Sequence, residues 1–261
     1  MRQLRVALRS IGYGNRLRDK AIIGAHVAAV AAFPLGIAAR KAGKPLPDPR
    51  RLLGEYVVRG PIGVFACPPS PCPFFLGIDQ TYDAGLCALL ESLDGGTFID
   101  VGASVGFITV RAARRVDRVI AIEPHPVRFA YLKRNLSLNG LTNVVAFNCA
   151  LGATEGRATL YDVDPTLGPH ALDVSTQPGR GRRYDVSMRR LDEIVCGPVA
   201  MLKIDVEGDE LRVLAGAQQL LESRPRIVIE SLGGRHLGKL QHMLPGYSFD
   251  EIGQNNFLAS P

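Results

Sequence analysis

Six polar residues, Asp100, Glu123, Asn148, Asp205, Glu207 and Glu230, each stand at or just beyond the end of an apolar run in this 261-residue chain. Their side chains suit two tasks. A carboxylate accepts hydrogen bonds from an ammonium group or from paired hydroxyls, and one held beside a hydroxyl can take its proton. Asp100 is followed by Gly102 and Gly106, with Ala103, Ser104 and Val105 around them. Glycines there let the backbone approach a ligand closely, and the free amides of a helix starting at that point favour electron-rich groups. Glu123 lies 21 residues after Gly102, near the roughly 20-residue offset at which an acid meets ribose hydroxyls in dinucleotide folds.

These residues act together only if strands deliver them to one edge. Residues 97–101 read as a buried strand, the glycine-bracketed turn follows, and residues 105–115 read as an apolar helix with a basic end. The alternation continues with strands at 118–122, 143–147, 199–204 and 226–229, and helices at 126–139, 209–221 and near 236–243. Pro126 and Gly140 bracket the second helix as start and stop signals. A final strand is expected near 256–259. Such alternation predicts an α/β fold with a doubly wound, mostly parallel sheet, whose ligands lie at the carboxyl ends of the strands. Ahead of it, residues 55–67 read as an antiparallel hairpin about Gly60-Pro61 and residues 79–92 as a helix. Residues 157–163 and 184–188 read as a second hairpin, and the Gly-, Pro- and Arg-rich loop 164–183 joins them. A loop of that length is usually functional or mobile, and Arg180, Arg182 and Arg183 in it could pair with an acidic group on a substrate.

The chain is 46% hydrophobic, enough for a sizeable core. Its 31 Lys and Arg outnumber 25 Asp and Glu, but residues 1–60 hold 12 of the basic and 3 of the acidic residues. The remaining body is mildly acidic, which argues against nucleic acid as a partner. Five cysteines (67, 72, 87, 149 and 196) are odd in number and lack paired spacing, so neither a disulfide framework nor a zinc site is indicated. Residues 21–39 carry no charge but are mostly Ala and Gly with Pro34 inside, a poor spanning helix. A helix packed on the body or a partner, peripheral membrane contact through residues 1–41, and an exported segment are the three readings. The free cysteines suit a cytoplasmic enzyme. The expected organisation is a basic and apolar arm with a Pro-rich linker (1–50), a hairpin and lead-in helix (51–94) and the main domain (95–261).

Two adenosine cofactors compete for the site. A nicotinamide dinucleotide calls for G-x-G-x-x-G around its pyrophosphate, but here the middle glycine is Ser104 and the third position is Phe107. S-adenosylmethionine has no phosphate, and Asp100 supplies an acceptor for its ammonium, so it fits better. The stretches Asp100-Val101-Gly102-Ala103-Ser104-Val105-Gly106, Glu123-Pro124-His125-Pro126, Asn135 with Leu138-Asn139, Leu191-Asp192-Glu193, and Lys203-Ile204-Asp205-Val206-Glu207-Gly208-Asp209-Glu210 with Val213-Leu214-Ala215-Gly216-Ala217 resemble the FkbM family of S-adenosylmethionine-dependent methyltransferases. The resemblance covers roughly residues 95–232. Its usual pattern has Asn in place of Ser104 and a small residue in place of Asp209.

That resemblance implies a class I methyltransferase (Rossmann-like) fold and O-methylation of a hydroxyl on a sugar, glycolipid or other small metabolite. It implies that Asp100, Gly102 and Gly106, with Ala103 and Ser104 in their turn, hold the methionine end of the cofactor. Glu123, followed by Pro124, would hold the ribose, and Asn148 with Cys149 the adenine edge. Lys203, Asp205 and Glu207 would face the methyl group, with Asp205 as first choice of base and Glu207 as second. Two alternatives stay open: Mg²⁺ held by Asp205, Glu207 and Glu230 against a diol, and a non-catalytic cofactor-binding module docked through its basic arm.

Overall fold

In the structure, a computed structural model that describes residues 8–31, 54–68, 77–78, 83–162, 174–175, 183–206, 208–231, 234, 236–253 and 255–261, helix α1 (Leu17–Ala31) precedes a hairpin of β1 (Tyr56–Gly60) and β2 (Gly63–Cys67). Helix α2 (Ala84–Glu91) then leads to β3 (Thr97–Val101), and α3 (Phe107–Ala112), β4 (Arg118–Ile122), α4 (Pro126–Leu138) and β5 (Val144–Phe147) follow in alternation. The chain next forms β6 (Ala150–Leu151), β7 (Gly156–Asp162), β8 (Val174–Ser175) and β9 (Arg183–Arg189). It closes with β10 (Met201–Ile204), α5 (Glu210–Ala215), α6 (Gln218–Glu222), β11 (Arg226–Glu230), α7 (Leu237–Met243), β12 (Ser248–Gly253) and β13 (Asn256–Ser260).

Strands β5, β4, β3, β10 and β11 pair in parallel, and β13 and β12 complete the seven-stranded sheet as antiparallel edge strands. Consecutive residues of β3 face opposite layers: Ile99 joins Val213, Leu214 and Leu240 of α5 and α7, whereas Phe98 joins Leu86 and Leu90 of α2. Burial on both faces is what the near-continuous apolar runs of these strands require. This is the doubly wound, mostly parallel sheet that the sequence predicts. The chain leaves β3 toward β4 on one side and later returns to β10 on the other. That reversal opens a crevice at the carboxyl ends of β3 and β10.

Several elements differ from expectation for identifiable reasons. The helix expected over 209–221 is two, because Gly216 packs against the carbonyl of Gly152 so closely that a Cβ would lie 2.1 Å from it. Asp192 then caps the second piece, accepting from the amides of Gln219 and Leu220 at 3.2 and 3.0 Å. The second hairpin belongs to a separate four-stranded sheet, ordered β6-β9-β7-β8. Strand β12 was not expected; its burial pattern is too exposed to leave an apolar signature. Of the loop 164–183, only Val174, Ser175 and Arg183 are among the described residues, and Arg180 and Arg182 lie outside them.

Helix α1 docks on the hairpin. Ile22, Ile23 and Val27 are buried with Tyr56, Val58 and Phe65, and Asp19 accepts from the amides of Arg16 and Val57 at 2.8 and 3.1 Å. Among the described residues no helix is long and apolar enough to cross a membrane. The hairpin is in turn fastened to α4 by two asparagines, one within the helix and one at its end. Asn135 exchanges hydrogen bonds with both backbone groups of Ala66, and Asn139 does the same with Val64.

Candidate active site

The turn after β3 is wound through left-handed backbone at Gly102 (φ 81°), Ser104 (φ 52°) and Gly106 (φ 96°). Gly102 has to be glycine for a second reason: a Cβ there would lie 1.8 Å from the carbonyl oxygen of Asp205, so the ends of β3 and β10 meet backbone to backbone. The amides of Gly102 and Ala103 both donate to the Ile122 carbonyl, at 2.9 and 3.0 Å. Glu123 locks the turn from β4, accepting from the amide of Ser104 at 2.7 Å and from that of His125 at 2.7 Å. Burial raises the Glu123 carboxyl above its ordinary pKa, against the opposing pull of Arg128 and these two amides. Asn148 donates to the carbonyls of Glu123 and Pro124 at 2.8 and 3.0 Å and so sets the loop after β4. Beside it Cys149 is buried, and desolvation pushes its thiol up to about 11 despite the nearby Arg189, leaving it a protonated, inert wall.

Across the crevice, Lys203 stands in register with Asp100 on adjacent parallel strands, so the two side chains share a face. The Lys203 ammonium is 3.0 Å from Asp205 Oδ2 and 3.6 Å from Asp100 Oδ1, with Lys203 only 4% exposed. Thr109 of α3 donates to Asp100 Oδ2 at 2.6 Å. Burial alone would discharge Lys203, but Asp205, Asp100 and Glu230 outweigh it and raise its pKa, so the cation is kept. Asp205 shows the complementary balance. Burial acts to raise its pKa, whereas Lys203 and a hydrogen bond with Glu230 lower it, and the lowering wins. The Asp205 side chain remains one-third exposed (33%), an ionised oxygen acceptor reachable from the crevice.

The structure thus brings Asp100, Lys203, Asp205 and Glu230 into one cluster, with Gly102 against its backbone. Glu123, Pro124, Asn148 and Cys149 form a second group around the β4 loop. Glu207 lies outside the described residues. Among the described residues no three His, Cys, Asp or Glu side chains are placed to hold a metal ion.

Sequence reasoning passes over several residues at this edge. Asp83 caps α2 from a left-handed backbone (φ 49°) and accepts from the Leu86 amide and, at 2.7 Å, from Asn256 of β13. Burial raises its pKa to about 6, moderated by the Leu86 amide and Lys203 and reinforced by Asp205. An Asp three residues before Leu86 is a legible cap signal, hidden here because the apolar period extends upstream to Tyr82. Asn256 has no such signal: only its pairing with Glu230 across β11 and β13 brings it there. Glu210 accepts from the Gly208 amide at 2.7 Å, and burial raises its pKa. Ser231 Oγ and His236 Nδ1 are buried with no hydrogen-bond partner, polar atoms left for something else to satisfy.

A family model, the methyltransferase FkbM domain, matches residues 100–254. Methyltransferase 1 of Beauveria bassiana (strain ARSEF 2860) is 27% identical over 162 residues, which cover 53% of this chain and 63% of that protein. The 31-O-demethyl-FK506 methyltransferase FkbM of Streptomyces tacrolimicus is 28% identical over 205 residues, 65% of this chain and 78% of that one. The match to the Beauveria protein therefore spans less than two-thirds of its length. Among solved structures, methyltransferase FkbM from Methylobacillus flagellatus KT matches with a TM-score of 0.47 and 17% identity, covering 100% of this chain and 59% of that chain.

Proposed function

The chain belongs to the FkbM methyltransferase domain family, and on that premise we propose that it transfers the methyl group of S-adenosylmethionine to a hydroxyl of a glycan or small-molecule acceptor. The observation that carries this reading is the ionised Asp205, held by Lys203 at the crevice and backed by Gly102. Asp100 Oδ1 is buried, 3.6 Å from the Lys203 ammonium but with no hydrogen-bond partner, so it keeps acceptor capacity for an incoming ammonium. Each Glu123 oxygen accepts one backbone amide, which leaves lone pairs for ribose hydroxyls. On this fit Asp100 and the Gly102–Gly106 turn would hold the methionine end, Glu123 the ribose, and the wall at Asn148 and Cys149 the adenine. When bound, the sulfonium supplies a methyl group already activated for displacement.

The protein's own part is to position the acceptor and receive its proton. A carboxylate with a lowered pKa is too weak a base to ionise an alcohol beforehand. It can orient the hydroxyl as a hydrogen-bond acceptor and take the proton as the oxygen loses electron density to the new O–C bond. Lys203 keeps Asp205 charged and fixed; Asp100 balances the remaining charge of Lys203. The relative whose name specifies 31-O-demethyl-FK506 supports oxygen as the acceptor atom.

The test pairs binding with turnover. Asp205→Asn should bind S-adenosylhomocysteine with affinity within a few-fold of the parent by calorimetry, while methyl transfer to a panel of hydroxylated glycans and small metabolites falls about 10²–10⁴-fold. Binding of NAD in place of S-adenosylhomocysteine, or full turnover by the variant, would overturn the reading.

A further inference from the structure

Away from the carboxyl edge, a groove of about 580 Å³ lies between the hairpin tip at residues 61 and 62, helix α2, and the end of α3. The α2 side of the groove is built from Ala84 and Ala88, small residues whose spacing along one helix face leaves the space open. Three arginines, Arg111, Arg114 and Arg115, line the groove against one carboxylate, Glu91. Arg115 pairs with Glu91 at the surface, and Arg111 reaches the same carboxylate only at 3.5 Å although it is 5% exposed. The Arg114 guanidinium has no hydrogen bond or ion pair among the described residues. It lies against the hairpin, where a Cβ on Gly63 would be 3.4 Å from its Nη2.

One half-exposed carboxylate shared by two guanidiniums cannot balance three, and Arg111, the desolvated one, would normally be well paired, whereas Arg114 and Arg115 stay exposed and reachable by a ligand. The imbalance is local, because residues 61–261 together carry 19 basic and 22 acidic side chains. We infer that this groove binds a phosphorylated small molecule, its phosphate held by Arg111, Arg114 and Arg115 and its organic part against Ala84 and Ala88. Guanidinium forks grip phosphate oxygens in pairs, and a tetrahedral dianion offers enough oxygens for three of them, whereas a carboxylate offers two. The volume falls within the range of small-molecule sites and exceeds what a bare ion needs. The concave shape distinguishes it from a surface for a flat bilayer. This inference stands on the groove alone and does not depend on the methyl-transfer reading.

Calorimetric titration of the full chain with sodium pyrophosphate, at ionic strength held constant with sodium chloride, tests it. Saturable binding is expected, weakened about tenfold or more by Arg114→Ala, with melting temperature and S-adenosylhomocysteine affinity unchanged. Arg157→Ala, on the exposed face of β7, is the control and should bind as the parent does. Absence of saturable binding, or equal affinity in Arg114→Ala and Arg157→Ala, overturns the site. Citrate binding as tightly as pyrophosphate overturns the preference for phosphate.

Discussion

Asp83 offers a pH dependence that can be isolated from every other titrating group. Its carboxyl rises from 3.8 to about 6 because burial outweighs the Leu86 amide and Lys203, with Asp205 adding to the rise. Between those values the folded chain holds a proton that the unfolded chain has released, so folding is favoured where Asp83 is protonated. The contribution is complete below the unfolded pKa and is lost as pH rises through the folded one. About two units at roughly 1.4 kcal/mol each gives a swing on the order of 3 kcal/mol. Asp83→Asn removes the titration and keeps an amide carbonyl to accept from Leu86. Urea unfolding of the two proteins from pH 4 to pH 8 should therefore show the variant gaining about 3 kcal/mol relative to the parent as pH rises. Glu123 and Glu210, also raised by burial, titrate in both proteins and cancel in the difference. Parallel stability curves would refute the reasoning and return Asp83 to the role of a simple helix cap.

Two further substitutions test the cluster itself. Lys203→Met leaves Asp100 and Asp205 facing each other without their shared cation, and removing one partner of a buried pair costs about 3–5 kcal/mol; a loss below about 1 kcal/mol in denaturant unfolding would show that the two carboxylates are solvated well enough without it. Gly102→Ala forces a Cβ against the Asp205 carbonyl from a left-handed backbone, which should cost at least about 3 kcal/mol and abolish S-adenosylhomocysteine binding in whatever protein remains folded; an unchanged midpoint would mean that β3 and β10 can separate.

The sheet was legible because four of its strands, β3, β4, β10 and β11, are buried along most of their length, and that kind of strand leaves a short apolar run. Asp100, Glu123 and Asp205 stood out for the related reason that each interrupts or ends such a run. What resisted reading depends on packing between distant segments. The break in the helix after β10 follows from the contact between Gly216 and Gly152, 64 positions apart in the chain, and no local propensity announces it. Asn135 and Asn139 are legible as part of a family pattern, yet only the structure shows that they fasten β2 to α4.

Lys203 shows why the charged cluster itself was only half visible. From the sequence it is a lysine in an apolar strand two positions before an aspartate, equally consistent with an ion pair to Glu207. Register adds a partner that no local spacing shows: β10 aligns Lys203 with Asp100 of β3. That pairing places one cation between two carboxylates, and Glu230 adds a hydrogen bond to the outer one. Asp100 is thereby committed to the interior, while Asp205 keeps an exposed face. The same buried charge at the junction of β3 and β10 thus gives two aspartates different settings, Asp100 enclosed and Asp205 one-third exposed, and the proposed division into a holding and a reacting carboxylate rests on that difference.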